Sequence, residues 1–203
     1  MSRTKKKFAV IIDAQNDFIR GTLPACAAQI AVDNIVRYLN ENRAHVILTR
    51  DTHNDNYFRT QEGRKLPVKH CLAGTEGWQI DKDVMHAVET SEQKLTYSIV
   101  DKKQFGTFEI GDVIVDILNR MQYGEYVDYT DTKGEDLSIT IMGFVTDICV
   151  ISNALILKAR FPEAEVTLLS DCCAGTSIEN HTRAIEVMKA CQIDISDAQQ
   201  ELL

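Results

Sequence analysis

The chain has no apolar run approaching the roughly 18 residues that a transmembrane helix needs, so a membrane-spanning helix is excluded. A secretion signal is not expected either: MSRTKKKFAVII opens with a basic cluster, but the apolar run behind it is short for a signal core. That run ends at Asp13 without a small-residue cleavage site. The expected location is the cytoplasm. There is no surplus of positive charge, since 22 Lys and Arg stand against 30 Asp and Glu for a net charge of -8. That balance argues against nucleic acid as a partner and leaves a small neutral substrate open. The six cysteines (Cys26, Cys71, Cys149, Cys172, Cys173, Cys191) contain no CxxC pair and are scattered, several inside apolar runs, so reduced thiols are expected. No internal repeat, linker or low-complexity segment divides the 203 residues. A single domain over 1–203 is expected, large enough for a core around a sheet of about five or six strands.

What is present is a regular alternation of strand and helix patterns, organised around SITIMGFVTDICV, residues 138–150. Ile139, Thr140, Ile141 and Met142 form an apolar, β-branched run that predicts a buried parallel strand. Gly143 breaks it, and a helical pattern starts near Asp147, which puts Cys149 at a helix N-terminus. Unpaired N–H groups and the helix dipole at such a place stabilise a thiolate and an adjacent oxyanion. Two readings are open for Cys149: a nucleophile, or a small buried apolar residue like most free cysteines.

Earlier in the chain, FAVIID (8–13) fits a central strand buried on both faces, and Asp13 ends it where open α/β sheets bind ligands. A turn or cap role for Asp13 is equally open, and Asn16 and Asp17 read as turn residues. Ile30, Ile35, Val36 and Leu39 recur at helical spacing. HVILT (45–49) is the second strand and delivers Asp51 and His53 to the same mouth, one residue apart, a spacing that points both side chains one way. Residues 54–68 are polar without a period and lead to His70. Asp51, His53, Glu62 and His70 therefore offer a divalent metal two imidazoles and two carboxylates, unless the segment is an ordinary solvated loop. LTYSIV (95–100) is the third strand, followed by Lys102 and Lys103, either of which could turn inward beside Asp13 and Cys149 or remain solvated. Residues 112–121 predict a helix and 122–136 an exposed polar excursion. A helix after Cys149 is stopped by Pro162. VTLL (166–169) is the fifth strand, with Cys172 and Cys173 as core residues at its end, then a helix over 179–189 and a last strand near 191–195. The order predicts an α/β fold, three layers αβα and Rossmann-like, on a mostly parallel sheet of about six strands.

With Asp13, Lys102 and Cys149 at three strand ends, the chain resembles the isochorismatase-like cysteine hydrolases, through FAVIIDAQNDF, KKQFGTF and GFVTDICV in that order. The likeness spans nearly the whole length and implies catalytic roles for Asp13, Lys102 and Cys149. Only Lys103 and Gln104 separate Lys102 from Phe105, which favours Lys102 over Lys103. The resemblance further implies an oxyanion hole from the N–H groups of Val145 and Cys149, aligned by a cis peptide between Phe144 and Val145, and Phe18 and Phe105 around a planar ring. DTH…EG…LPVKHCLAGTEGW looks like the metal segment of the family's nicotinamidases. Asp51, His53 and His70 fall on ligand positions there, Glu62 on a ligand of some members only, and Arg59 near a third histidine that others carry. The implied activity is hydrolysis of nicotinamide to nicotinate and ammonia through a thioester, serving NAD salvage, with zinc, iron or manganese at the metal position and a homo-oligomeric state. Hydrolysis of another small amide, carbamoyl or ureido compound is the competing reading, and a binding or scaffold protein without chemistry the remote one.

Overall fold

The computed structural model describes residues 5–121 and 128–198. Six strands form one sheet in the order β3-β2-β1-β4-β5-β6, where β1 is Lys6–Ile12, β2 Ala44–Asp51, β3 Lys94–Lys102, β4 Leu137–Phe144, β5 Glu165–Ala174 and β6 Asp194–Ser196. Every neighbouring pair is parallel. Helices α1 (Asn16–Ile19) and α2 (Ala28–Glu41) follow β1, α3 (Gln61–Lys65) and α4 (Lys82–Thr90) follow β2, and α5 (Glu109–Arg120), α6 (Ile151–Arg160) and α7 (Ile178–Ala190) follow β3, β4 and β5. Helices α2 and α4 pack together on one face, and α5, α6 and α7 form a contiguous layer on the other. Both faces of the central strands are therefore dry, which is why β1 reads as an unbroken apolar run rather than an alternating one; Phe8 to Ile12 are all at most 1% exposed.

The sheet order positions the site. From β1 the chain winds outward through β2 to β3, then returns to β4 on the other side of β1 and winds outward again. The loops leaving β1 and β4 diverge there, and the crevice between them at the C-terminal strand ends is where doubly wound sheets bind ligands. Asp13 follows β1 and Cys149 follows β4, so topology alone brings both to this crevice.

The close approach of β1 and β4 depends on Gly143. Its φ is +121°, and a Cβ there would lie 2.0 Å from the Ile12 carbonyl oxygen. Gly143→Ala should thus cost at least about 1–3 kcal/mol of strain, beyond any shift of the β1 backbone. A drop in the urea midpoint at unchanged slope is the expected result, and an unchanged midpoint would show that the strands separate freely.

Several boundaries differ from expectation. Residues 54–68 are not structureless: a 3-10 turn at Tyr57–Arg59 runs into α3, whose N-terminus is capped by Thr60 Oγ1 accepting from Gly63 N at 2.9 Å. Polar helices this short carry no apolar period to reveal them. Helix α6 is preceded by a π-helical turn, Thr146–Val150, so Cys149 sits inside a widened turn rather than at a regular helix start. Of the excursion expected over 122–136, residues 122–127 lie outside the described residues, and Asp136 pairs with Lys6. All six cysteines are free thiols, with Cys172 and Cys173 buried in β5 as expected. Among the described residues no helix is long and apolar enough to cross a membrane.

Candidate active site

Asp13 leaves β1 with φ +45°, in the left-handed region, and Thr49 of β2 holds it there. The Thr49 hydroxyl accepts from Asp13 N at 3.1 Å and donates to Asp13 Oδ1 at 2.6 Å. Strand alternation at the end of β3 then decides between the lysines: Asp101 and Lys103 face solvent, while Lys102 points inward. Its Nζ lies 2.6 Å from Asp13 Oδ2, 3.5 Å from Cys149 Sγ and 3.6 Å from Asp51 Oδ1. Asp13, Lys102 and Cys149 are thus one cluster, each at most 3% exposed.

Burial pushes the Cys149 thiol well up; Lys102 pulls the other way, and the carboxylates of Asp13 and Asp51 add to the rise. The stabilisation of a thiolate by a helix start is thus opposed by desolvation, which favours the thiol at rest. Burial also raises Asp13, against the pull of Lys102, which makes its carboxylate a stronger proton acceptor. Burial alone would lower Lys102, but Asp13, Cys149 and Asp51 outweigh it and hold the ammonium charged.

The turn Thr146–Val150 shapes the anion side. The Phe144–Val145 peptide is cis, as the resemblance implied. Ile148 N and Val150 N both donate to Val145 O, at 3.0 and 3.1 Å. Among the described residues no acceptor outside the turn takes the N–H of Val145 or of Cys149. N–H groups left open beside a nucleophile are what an oxyanion hole requires, and Val145 and Cys149 line one cavity. Asn153, fully buried, ties this turn to the loop after β3: it donates to Cys149 O at 2.8 Å and Phe105 O at 3.0 Å and accepts from Thr107 N at 3.0 Å.

Next to the cluster stand Asp51, His53, Glu62 and His70, one ligand atom from each lying within 4.8 Å of all the others. His53 Nε2 is 2.8 Å from Asp51 Oδ2 and 3.5 Å from Glu62 Oε1, and His70 Nε2 is 3.3 Å and 3.5 Å from the same two atoms. Donors about 2.0–2.2 Å from one ion would stand about 3.0–3.5 Å apart, so the set fits a divalent cation. His70 Nδ1 is engaged with Val68 O at 2.9 Å, which turns Nε2 inward, and buried His53 Nε2 stands between the Asp51 and Glu62 carboxylates. Burial would lower His53, but Asp51 and Glu62 outweigh it and raise it to about 9. Helix α3 brings in Glu62, so all four expected ligands meet, whereas Arg59 is exposed and takes no part.

Sequence reasoning missed the residues that hold these groups in place. Gln15 Nε2 donates to Asp51 O at 2.9 Å and its Oε1 accepts from Asp51 N at 2.7 Å. Asp17, expected only as a turn former, accepts from Cys71 N at 2.7 Å and so fixes the loop carrying His70. The Tyr57 ring packs 4.7 Å from His53 and 5.2 Å from His70. None of these carries a spacing signal, because each acts across the fold.

Nucleophile and metal donors open into one cavity of ≈ 320 Å³, with Cys149, Asp51, Glu62 and His70 in its walls and Phe18, Leu66, Phe105 and Ile148 around them. Phe18 and Phe105 thus both reach the cavity, Phe18 buried and Phe105 46% exposed at its mouth. Among the described residues that line it, none is Arg or Lys.

Known structures share the fold. The nicotinamidase/pyrazinamidase of Bacillus subtilis superimposes with a TM-score of 0.73 at 22% identity, over 95% of this chain and 100% of that one. The pyrazinamidase of Pyrococcus horikoshii, solved in complex with zinc, gives 0.67 at 27% identity over 95% and 99%. An isochorismatase-like hydrolase from Alkaliphilus metalliredigens gives 0.71 at 19% identity over 97% of each chain. The sequence model of the isochorismatase domain matches residues 7–200, nearly the whole length, and the chain belongs to the isochorismatase family of hydrolases.

Proposed function

We propose that the chain is a cysteine-dependent amide hydrolase whose substrate is nicotinamide, released as nicotinate and ammonia. The observation that carries this reading is the shared cavity: Cys149 and Val145 line the same space as Asp51, Glu62 and His70, three of the four residues of the metal set, with Lys102 behind the thiol, 3.5 Å from its sulfur. A substrate that is both an amide and a metal ligand suits that space, and a pyridine carboxamide is both.

In the first half-reaction Asp13 takes the Cys149 thiol proton, and Lys102 keeps the cluster balanced as negative charge moves to sulfur. Sγ bonds to the carbonyl carbon, and the oxyanion settles against the N–H groups of Val145 and Cys149. The tetrahedral species collapses as Asp13 returns its proton to the amide nitrogen, which leaves as ammonia. Asp13 then removes a proton from water, the hydroxyl adds to the thioester carbon, and the C–S bond breaks with sulfur reprotonated by Asp13. A divalent cation held by Asp51, His53, Glu62 and His70 would supply an electrophilic position for the ring nitrogen. Zinc suits two imidazoles with two carboxylates, as do iron and manganese.

Away from Lys102 and the metal donors, the described cavity lining offers a substrate carboxylate no cationic side chain, which favours a neutral carboxamide over the competing carbamoyl or ureido acids. The reading extends to a role in NAD salvage, in the cytoplasm, with the six thiols reduced and the protein acting as a homo-oligomer. Ammonia release from nicotinamide tests it directly. Release should fall at least about tenfold after chelation and return with added zinc. Folded, zinc-loaded protein that releases no ammonia from nicotinamide but does so from an N-carbamoyl acid would overturn the substrate assignment.

A further inference from the structure

Helix α7 contributes nothing to the reacting cluster, yet it is tied to the turn that carries the nucleophile. His181 Nδ1 lies 2.9 Å from Thr146 Oγ1, and Thr146 is fully buried. Thr146 is the first residue of the turn and follows Val145, so its side chain anchors the peptide that carries the Val145 carbonyl. One residue on, Asp147 accepts from Thr176 N at 2.8 Å and from Thr176 Oγ1 at 2.6 Å, fastening the β5–α7 loop to the same turn. Gly175 makes this approach feasible: a Cβ there would lie 2.8 Å from Asp147 Oδ1 and 2.9 Å from His181 Cβ.

Resting on the cysteine amide-hydrolase reading above, we propose that His181 is a positioning residue for the oxyanion hole, fixing through Thr146 the direction of the Val145 N–H. The physical reason is that a π-helical turn is held by few internal bonds. Ile148 N and Val150 N share one acceptor, Val145 O, so a tilt of the Val145–Thr146 peptide that carries this carbonyl changes the Val145 backbone angles and is passed across its Cα to the neighbouring peptide that carries the Val145 N–H. A donor stabilises an oxyanion only when aimed at it, and a displacement of about 1 Å can cost on the order of 10²-fold in rate. His181 holds the turn from outside, without touching the substrate cavity.

The test uses two replacements of different chemistry. His181→Phe keeps a ring in the packing but removes the bond to Thr146, whereas His181→Asn sets a polar atom where Nδ1 stands. His181→Phe should lower kcat for amide hydrolysis about tenfold, with KM unchanged, and His181→Asn should restore most of it. Thr146→Val should lose the same factor, and the double variant no more, since the two side chains act through one contact. Hydrogen exchange supplies a readout that needs no turnover: the Ile148 and Val150 amides should exchange faster in His181→Phe and Thr146→Val, and at the native rate in His181→Asn. Native exchange and native kcat in His181→Phe, or equal losses in the Phe and Asn variants, would overturn the proposal. A wild-type protein that hydrolyses no amide while its exchange pattern follows the prediction would refute the catalytic reading and leave the tie itself established.

Discussion

Cys149→Ala should abolish amide hydrolysis, with kcat falling at least about 10⁴-fold, as for other enzymes that lose a covalent nucleophile. The fold should survive. Cys149 is 3% exposed and its thiol is neutral, so the change removes one atom and leaves no charge stranded. Asp13 and Lys102 keep their 2.6 Å ion pair in the variant. The measurement is ammonia release beside a thermal melt: a near-native melt with no release is expected. Substantial release from a folded Cys149→Ala protein would remove the thioester route and transfer the chemistry to water activated by Asp13. Cys149→Ser should be nearly as inactive, because a hydroxyl buried at this site is harder to ionise than the thiol.

Lys102→Met should have the largest effect on stability, about 3–5 kcal/mol, because it breaks a buried pair and leaves Asp13 unpaired in the interior. The loss should itself depend on pH. Without Lys102, only the Thr49 hydrogen bond opposes the burial and the Asp51 charge that raise Asp13, so the folded variant holds a proton that the unfolded chain releases above about 3.9. The native state then binds more protons than the unfolded one, and stability falls as the pH rises from the unfolded value toward the folded value. Denaturation at pH 5 and pH 8 should therefore show the larger deficit at pH 8. Adding Asp13→Asn should recover part of the stability and none of the activity, a coupling that marks the pair as one unit. Equal deficits at both pH values would mean that Asp13 finds another partner when Lys102 is gone.

Much of this was legible in the sequence, and the reasons are local. The central strands announced themselves as apolar, β-branched runs, because a parallel sheet covered on both faces demands them, and edge strand β3 was legible from the same residue types although most of it is exposed. Asp13, Lys102 and Cys149 could be placed at strand ends by counting along those runs. The metal set was readable because Asp51 and His53 share one side of an extended segment, while Glu62 and His70 are the polar ligands of the loop that follows. Helix α3 and the turn Tyr57–Arg59 were not legible, since their cohesion comes from the Thr60 cap and from packing of Tyr57 against the histidines.

The sequence by itself determined the fold class, the strand ends at which chemistry is possible and the residue types placed there, because periodicity and spacing are properties of the chain's own backbone. Only the tertiary structure put Lys102 beside both Asp13 and Cys149 and brought Glu62, on helix α3, within reach of the other three ligands. It also decided that Cys149 rests as a thiol and that His181 reaches the nucleophile turn. Each of these depends on a distance between residues far apart in the chain, or on how completely water is excluded around a charge. Neither quantity exists until the sheet has brought β1, β3 and β4 to one crevice.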